Sequence, residues 1–276
     1  MKSLSTSITL LLLLASPMLQ AQPLPLWELG VGSGALHLPM YRGAKQTTNH
    51  IIPFPYLIYR GENITIDDGL VRGYLLRTEQ LKLDISISGG VPVTSDGDTP
   101  RSGMPDLDPT IEIGPSLDYR LWKHDDGLRS WWLKMPLRAV QSLDIKHVDH
   151  QGWSFSPFIE FRREGTHAND WKVGIAGGPL FADQNYHDYY YQVTPEFATP
   201  QRPVYTSKAG YSGSRLTLSL QKNIDKLWFG AFLRYDNLKG AKFEDSPLVN
   251  DTRYVAIGLA FTWIFMTSEE RVERDL

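Results

Sequence analysis

The chain of 276 residues contains no cysteine, which excludes disulfides and thiolate-bound metal. An excess of positive charge is also lacking. Lys and Arg number 28 against 31 Asp and Glu, a net charge of −3, which is the wrong sign for a nucleic-acid partner. Beyond the N-terminus, no apolar run is long enough for a membrane helix. There is no low-complexity segment, no internal repeat, no linker to a second domain and no G-x-S-x-G motif. The one apolar run lies in "MKSLSTSITLLLLLASPMLQAQP", with a positive charge at Lys2, an apolar stretch from about Ile8 to Ala15 and a plausible cleavage after Ala21. That pattern predicts a cleaved signal peptide over residues 1–21 and hence an exported protein.

What the sequence does contain is alternation. In "YVAIGLAFTWIF", Val255, Ile257, Leu259, Phe261, Trp263 and Phe265 alternate with Tyr254, Ala256, Gly258, Ala260 and Thr262, with Ile264 the exception. A period of two is a β-strand, because successive side chains leave opposite faces of the backbone. "LKLDISISGG", "IEIGPSLDYRL", "WSFSPFIEF", "RLTLSLQ" and "LWFGAFLRY" repeat the pattern. Their polar faces carry charge mid-strand at Asp84, Glu112, Asp118, Arg120, Glu160 and Arg234. A dry sandwich core excludes such charges, but a hydrogen-bonded lumen accepts them. On a soluble sandwich they would form the solvated face, so alternation alone fits either fold.

Connection lengths separate the two. The pattern predicts about twelve strands, within 10–14, at 27–38, 51–60, 63–67, 69–77, 81–90, 111–121, 131–140, 152–162, 171–178, 210–220, 227–237 and 254–265. Most of the long connections then fall at one end, which is the arrangement of bacterial outer-membrane barrels. Trp27, Trp131, Trp132, Trp153, Trp171, Trp228 and Trp263 lie near predicted strand ends, as in interfacial belts. The expected fold is all-β, a single antiparallel transmembrane β-barrel over residues 22–265, followed by a charged tail over 266–276 that hangs in the periplasm, disordered or helical. The last strand is expected to close on strand 27–38, where Gly30, Gly32 and Gly34 allow close approach.

Candidate chemistry is sparse. "HVDH" sets His147 and His150 around Asp149, read as a solvated outer loop rather than a metal site. Ser154 lies near both histidines in sequence, but nothing places them together as a nucleophile and base. "PDLDP" sets Asp106 and Asp108 two apart between prolines, a rigid loop entering a strand. No cofactor or metal is expected. The binding candidates are the lumen-facing Glu112, Asp118, Arg120, Glu160 and Arg234. Beside them stand the tyrosines of the long loop near 177–213, Tyr186, Tyr189, Tyr190, Tyr191 and Tyr205, which either present a surface for protein or glycan or fold over the barrel mouth.

The stretches "PMYRGA" (39–44), "MPDLDPTIEIGPSL" (104–117), "GPLFADQNYHDYYYQV" (178–193), "RPVYTSKAGYSG" (202–213), "RYDNLKGAKFEDSPLV" (234–249) and "GLAFTWIF" (258–265) resemble the MipA/OmpV family of outer-membrane proteins. The resemblance implies a β-barrel in the cell outer membrane, in contact with its lipids. For the family's namesake branch it implies a scaffold joining a murein lytic transglycosylase to a penicillin-binding murein synthase. Porin-like, adhesin-like and antibiotic-linked members are also described. No catalytic residues come with the family, so a non-enzymatic protein is expected, with a lipid hydrolase as the remote alternative. The departure is "MTSEERVERDL", which follows Phe265 where such chains commonly end on an aromatic.

Overall fold

The computed structural model describes residues 23–272, apart from 62–63, 68–69, 74–75, 98, 145–146 and 167–168, with backbone alone over 64–67, 70–73 and 76–77. The expected signal peptide, 1–21, and the last residues of the tail, 273–276, lie outside the described residues.

The chain is all-β. In order it forms β1 (Leu24–Pro25), β2 (Trp27–Pro39), β3 (Thr47–Arg60), β4 (Ile64–Asp67), β5 (Leu70–Gly73), β6 (Leu76–Arg77), β7 (Leu81–Gly90) and β8 (Thr110–Lys123). There follow β9 (Arg129–Leu143), β10 (Val148–Phe155), β11 (Phe158–Arg163) and β12 (Lys172–Ala182). Helix α1 (Gln184–Tyr191) and a 3-10 turn (Pro195–Phe197) precede β13 (Gly210–Ile224), β14 (Leu227–Asn237), β15 (Arg253–Thr267) and β16 (Arg271–Val272). All but β1 and β16 belong to one antiparallel sheet of 14 strands, running from β5 through β2 and β15 to β6. The expected pairing of last strand on first is present, with Ile257 opposite His37 and Trp263 opposite Val31.

The alternation has its cause in the two faces. On β15, Val255, Ile257, Leu259, Phe261, Trp263 and Phe265 are exposed, while Tyr254, Ala256 and Thr262 are buried. Ile264 is buried too, in phase with this inner face, and the register with β2 then shifts between Ile264 and Met266, which places both Phe265 and Met266 outside. Ile113, Leu137, Trp153, Ile175, Leu218 and Leu233 continue this apolar outer face around the sheet. The inner face is polar and buried, with Glu28, Asp84, Ser116, Asp118, Lys134 and Asp236 on it. Exposed bulk over buried charge is the inverse of a soluble core.

Several boundaries differ from the sequence expectation. The strand expected at 152–162 is two strands, broken at Ser156–Pro157, where proline has no N–H for the ladder. Both β10 and β11 lie between β9 and β12, so the break does not change the strand order. The "HVDH" stretch is not simply loop. Val148, Asp149 and His150 open β10, and His150 meets the Gln141 side chain at 3.0 Å. The tail is neither disordered nor helical where it is described. Met266 and Thr267 continue β15, Ser268 Oγ accepts from Trp27 N at 3.1 Å, and β16 pairs with β1. Of the tryptophans, Trp122, Trp131, Trp171 and Trp263 are exposed near one end of the sheet, whereas Trp132 is buried.

Short turns, such as 78–80, 124–128 and 225–226, occupy that tryptophan end. Longer connections, 40–46, 91–109, 183–209 and 238–252, gather at the other end and fold together. Their core is Tyr41, Val93, Leu107, Tyr191, Leu238 and Phe243. β3 pairs with β2 along its length but with β4 only at Tyr59 and Arg60. No described strand pairs with its other edge over 47–58, and that stretch carries Pro53 and Pro55, which have no N–H to offer a foreign strand.

Candidate functional site

The folded connections form a lid. Asp183 caps α1 by accepting from Tyr186 N at 2.9 Å, which fixes where the helix starts. From there, a four-residue spacing sorts the side chains by face. His187 and Tyr191 are buried against Phe243, with Tyr191 stacked on it at 3.8 Å between centroids. Tyr186 and Tyr190 face the sheet interior. Hydrogen bonds tie the lid segments to one another. Tyr191 donates to the Arg42 carbonyl (2.8 Å), Tyr41 to the Leu248 carbonyl (2.7 Å), Ser246 to the Tyr191 carbonyl (2.8 Å) and Arg101 to the Tyr190 carbonyl (3.1 Å). The tyrosine-rich segment packs with the other long connections at this end of the sheet.

His187 is held at both nitrogens. Nδ1 lies 2.6 Å from the Lys208 carbonyl, which can only accept, so Nδ1 carries the proton and Nε2 accepts from Ser212 Oγ at 2.6 Å. Burial lowers the His187 pKa, against the raising pull of the Lys208 hydrogen bond. Burial likewise pushes the Tyr190 hydroxyl up to about 12.

Beneath the lid lies a chamber of about 300 Å³. Arg42 reaches it from the first lid segment, Arg138 from β9, Arg215 from β13 and Arg234 from β14. Three of these guanidiniums share one carboxylate. Arg215 donates to Asp236 Oδ1 at 3.0 Å, Arg42 Nε stands 3.5 Å from the same oxygen, and Arg234 Nε is 3.0 Å from Oδ2 without hydrogen-bond alignment. Arg138 donates to Ser86 Oγ at 2.8 Å and lies 3.8 Å from Glu112, which accepts from Ser154 at 2.9 Å. Tyr254 lines the chamber with a buried hydroxyl that has no hydrogen-bond partner among the described residues. Leu36, Leu38, Met40, Val91 and Phe232 supply an apolar side.

The sequence candidates thus divide. Glu112, Arg234, Tyr186, Tyr190 and Tyr191 meet at the chamber. Asp118 and Glu160 do not. They flank Lys134 at 3.3 and 3.1 Å in a buried network completed by Arg162 on Glu160 at 2.9 Å. Arg120 lies towards the tryptophan end, over the Trp132 ring and 3.8 Å from Glu79. Tyr189 donates to the Asp108 carbonyl at 2.9 Å, and Tyr205 reaches the Lys242 carbonyl at 3.3 Å, both outside the chamber. Asp106 accepts from Ser95 N at 2.6 Å within the loop. Sequence reasoning passed over Arg42, Arg138, Asp236 and Tyr254 as site residues. Arg215 was visible on a polar strand face, but no local pattern announces that four segments converge.

On the inner face, aromatic rings lie against the wall where side chains are missing. Phe54 lies over Gly32, where a Cβ would stand 2.7 Å from the ring, and Phe232 lies in contact distance of Gly258. Among the described residues, no three His, Asp or Glu side chains gather as a metal site.

Residues 31–265 match a family model described as "MltA-interacting protein MipA". No curated protein matches the sequence. Among solved structures, a bacterial polysaccharide outer membrane secretin is similar at 9% identity and a TM-score of 0.37, covering 88% of this chain and 99% of that one. The Pseudomonas putida toluene transporter TodX is similar at 10% identity and a TM-score of 0.28, covering 88% and 68%. The Ralstonia pickettii toluene transporter TbuX is similar at 9% and 0.25, covering 89% and 69%.

Proposed function

The chain belongs to the MipA family, and from that premise we propose that it is a non-enzymatic outer-membrane β-barrel that serves as a scaffold for murein-remodelling enzymes. The observation that carries the reading is the family match across residues 31–265. The family's description names an interaction with MltA, a murein lytic transglycosylase, and that partner class comes to this chain as a proposal, with a murein synthase as the second. The exposed apolar outer face supports burial in lipid, because its side chains have no other cover. Barrel closure is supported by the pairing of β15 with β2 and by β5 lying against β7, which brings the two ends of the sheet together. In this reading the inner face is a lumen, and the lid and aromatic layer obstruct passage through it.

The partner would be met at the short turns. In the 124–128 turn, Asp126 accepts from Leu128 N at 2.9 Å and pairs with Arg129 at 2.9 Å, giving a fixed, charged surface. The test is a pull-down of the lytic transglycosylase on the folded, detergent-solubilised protein. Capture by the wild type, with loss on replacing the 124–128 and 164–170 turns by Gly-Ser, supports the scaffold. Equal capture by both proteins contradicts these turns as the surface.

One observation favours a second reading, acyl transfer at Ser212. His187 accepts from the Ser212 hydroxyl and is oriented at its other nitrogen, which is the arrangement of a nucleophile and its base. Both side chains are buried, and a carbonyl stands where a carboxylate would stabilise an imidazolium. We expect no labelling by a fluorophosphonate probe. Labelling that disappears in Ser212→Ala would displace the scaffold reading.

A further inference from the structure

We propose that the chamber under the lid binds the oxyanion end of a small amphiphile, a phosphate or carboxylate with an apolar remainder. The argument begins with charge. Arg42, Arg138, Arg215 and Arg234 line or reach the chamber, and the carboxylates beside them are Asp236 and Glu112. Among the groups named, guanidiniums outnumber carboxylates by two, in a partly buried space roofed by packed loops. Clustered like charge is costly in such a setting, and the cost falls when an anion joins the cluster. Planar guanidinium forks suit phosphate and carboxylate oxygens in particular.

The polar groups agree with this. Tyr254 Oη and Arg42 Nε are buried without a hydrogen-bond partner among the described residues, and both can donate to an anion. Tyr190 Oη has only a long contact, 3.4 Å, with Thr110. Part of the lining is apolar, with Leu36, Leu38, Met40 and Val91. A volume of about 300 Å³ suits a small molecule and is at the low end for ligand sites. Leu36 and Leu38 lie on β2, beside β3, with whose other edge no described strand pairs over 47–58 and where Ile51 and Ile52 are exposed. An apolar remainder would lead towards that edge.

The test uses the full protein in a neutral detergent, with folding confirmed by heat-modifiable gel mobility. Phenyl phosphate is titrated calorimetrically, with benzyl alcohol as the uncharged control. Saturable binding of phenyl phosphate with at least tenfold preference over benzyl alcohol is expected. Arg215→Met should weaken it tenfold or more. Because that variant strips Asp236 of a partner and can fail to fold, Glu112→Gln is the second probe. It removes a negative charge from the wall and should tighten phenyl phosphate about threefold while leaving benzyl alcohol unchanged. Equal binding of the two probes, no binding of either, or an unchanged or weaker Glu112→Gln would overturn the proposal. A lipid phosphate and a soluble phosphate share this chemistry. Competition by phosphatidic acid but not phosphatidylcholine in nanodiscs assigns the lipid source. Competition by neither assigns the soluble one, and both results support the site.

Discussion

His187 accepts from Ser212 only while its imidazole is neutral, and burial lowers its pKa below the ordinary value near 6.5. A histidine with a depressed folded pKa contributes stability that is fully present above the unfolded pKa and is lost as pH falls below it. The lid should therefore loosen below about pH 6.5. Hydrogen-exchange protection over 184–209, taken relative to the intrinsic rate at each pH, should fall between pH 7.5 and 5.5, and His187→Gln should flatten that fall. Lys134 makes a different prediction. It lies between Asp118 and Glu160, and its removal leaves two buried carboxylates with one fewer cation. Lys134→Met should destabilise the folded protein by about 3–5 kcal/mol, read as a lower temperature for the heat-modifiable mobility shift. The charges at these positions were readable from the alternation, since residues on a polar strand face share one side. Their partners were not, because pairing depends on register between strands far apart in sequence.

At the scale of elements, glycine placement decides how rings pack inside the sheet. A side chain at Gly258 would meet the Phe232 ring, so Gly258→Val should cost about 1–3 kcal/mol through overpacking. Leu259→Val, on the exposed outer face beside it, should change thermal stability by far less. Similar losses at both positions would mean that the inner face is not packed as described. Strand positions and faces were legible because period-two alternation is local. The break at Pro157 was not expected, since the alternation of Trp153, Phe155, Ile159 and Phe161 runs through it without a change of face. The lid helix was also unread. "QNYHDYYY" has little apolar contrast and is held by an Asp183 cap and by loops distant in sequence.

At the scale of the whole molecule, an apolar exterior, a polar interior and long connections packed over one end give a barrel-like protein. The pairing of the last strand on the first followed from the sequence pattern, and most strands pair with their sequence neighbours, although β5 and β6 lie at the two ends of the sheet and β10 and β11 share the place between β9 and β12. The four-arginine chamber did not follow, because Arg42 sits in a lid segment and Asp236 at a strand end, and only the folded chain brings them together. With its long connections packed over one end, the protein is expected not to conduct. Single-channel recording of the purified, folded protein in planar bilayers should show a silent membrane. Steady, discrete openings that vary with ion type would contradict that expectation and make the protein a pore.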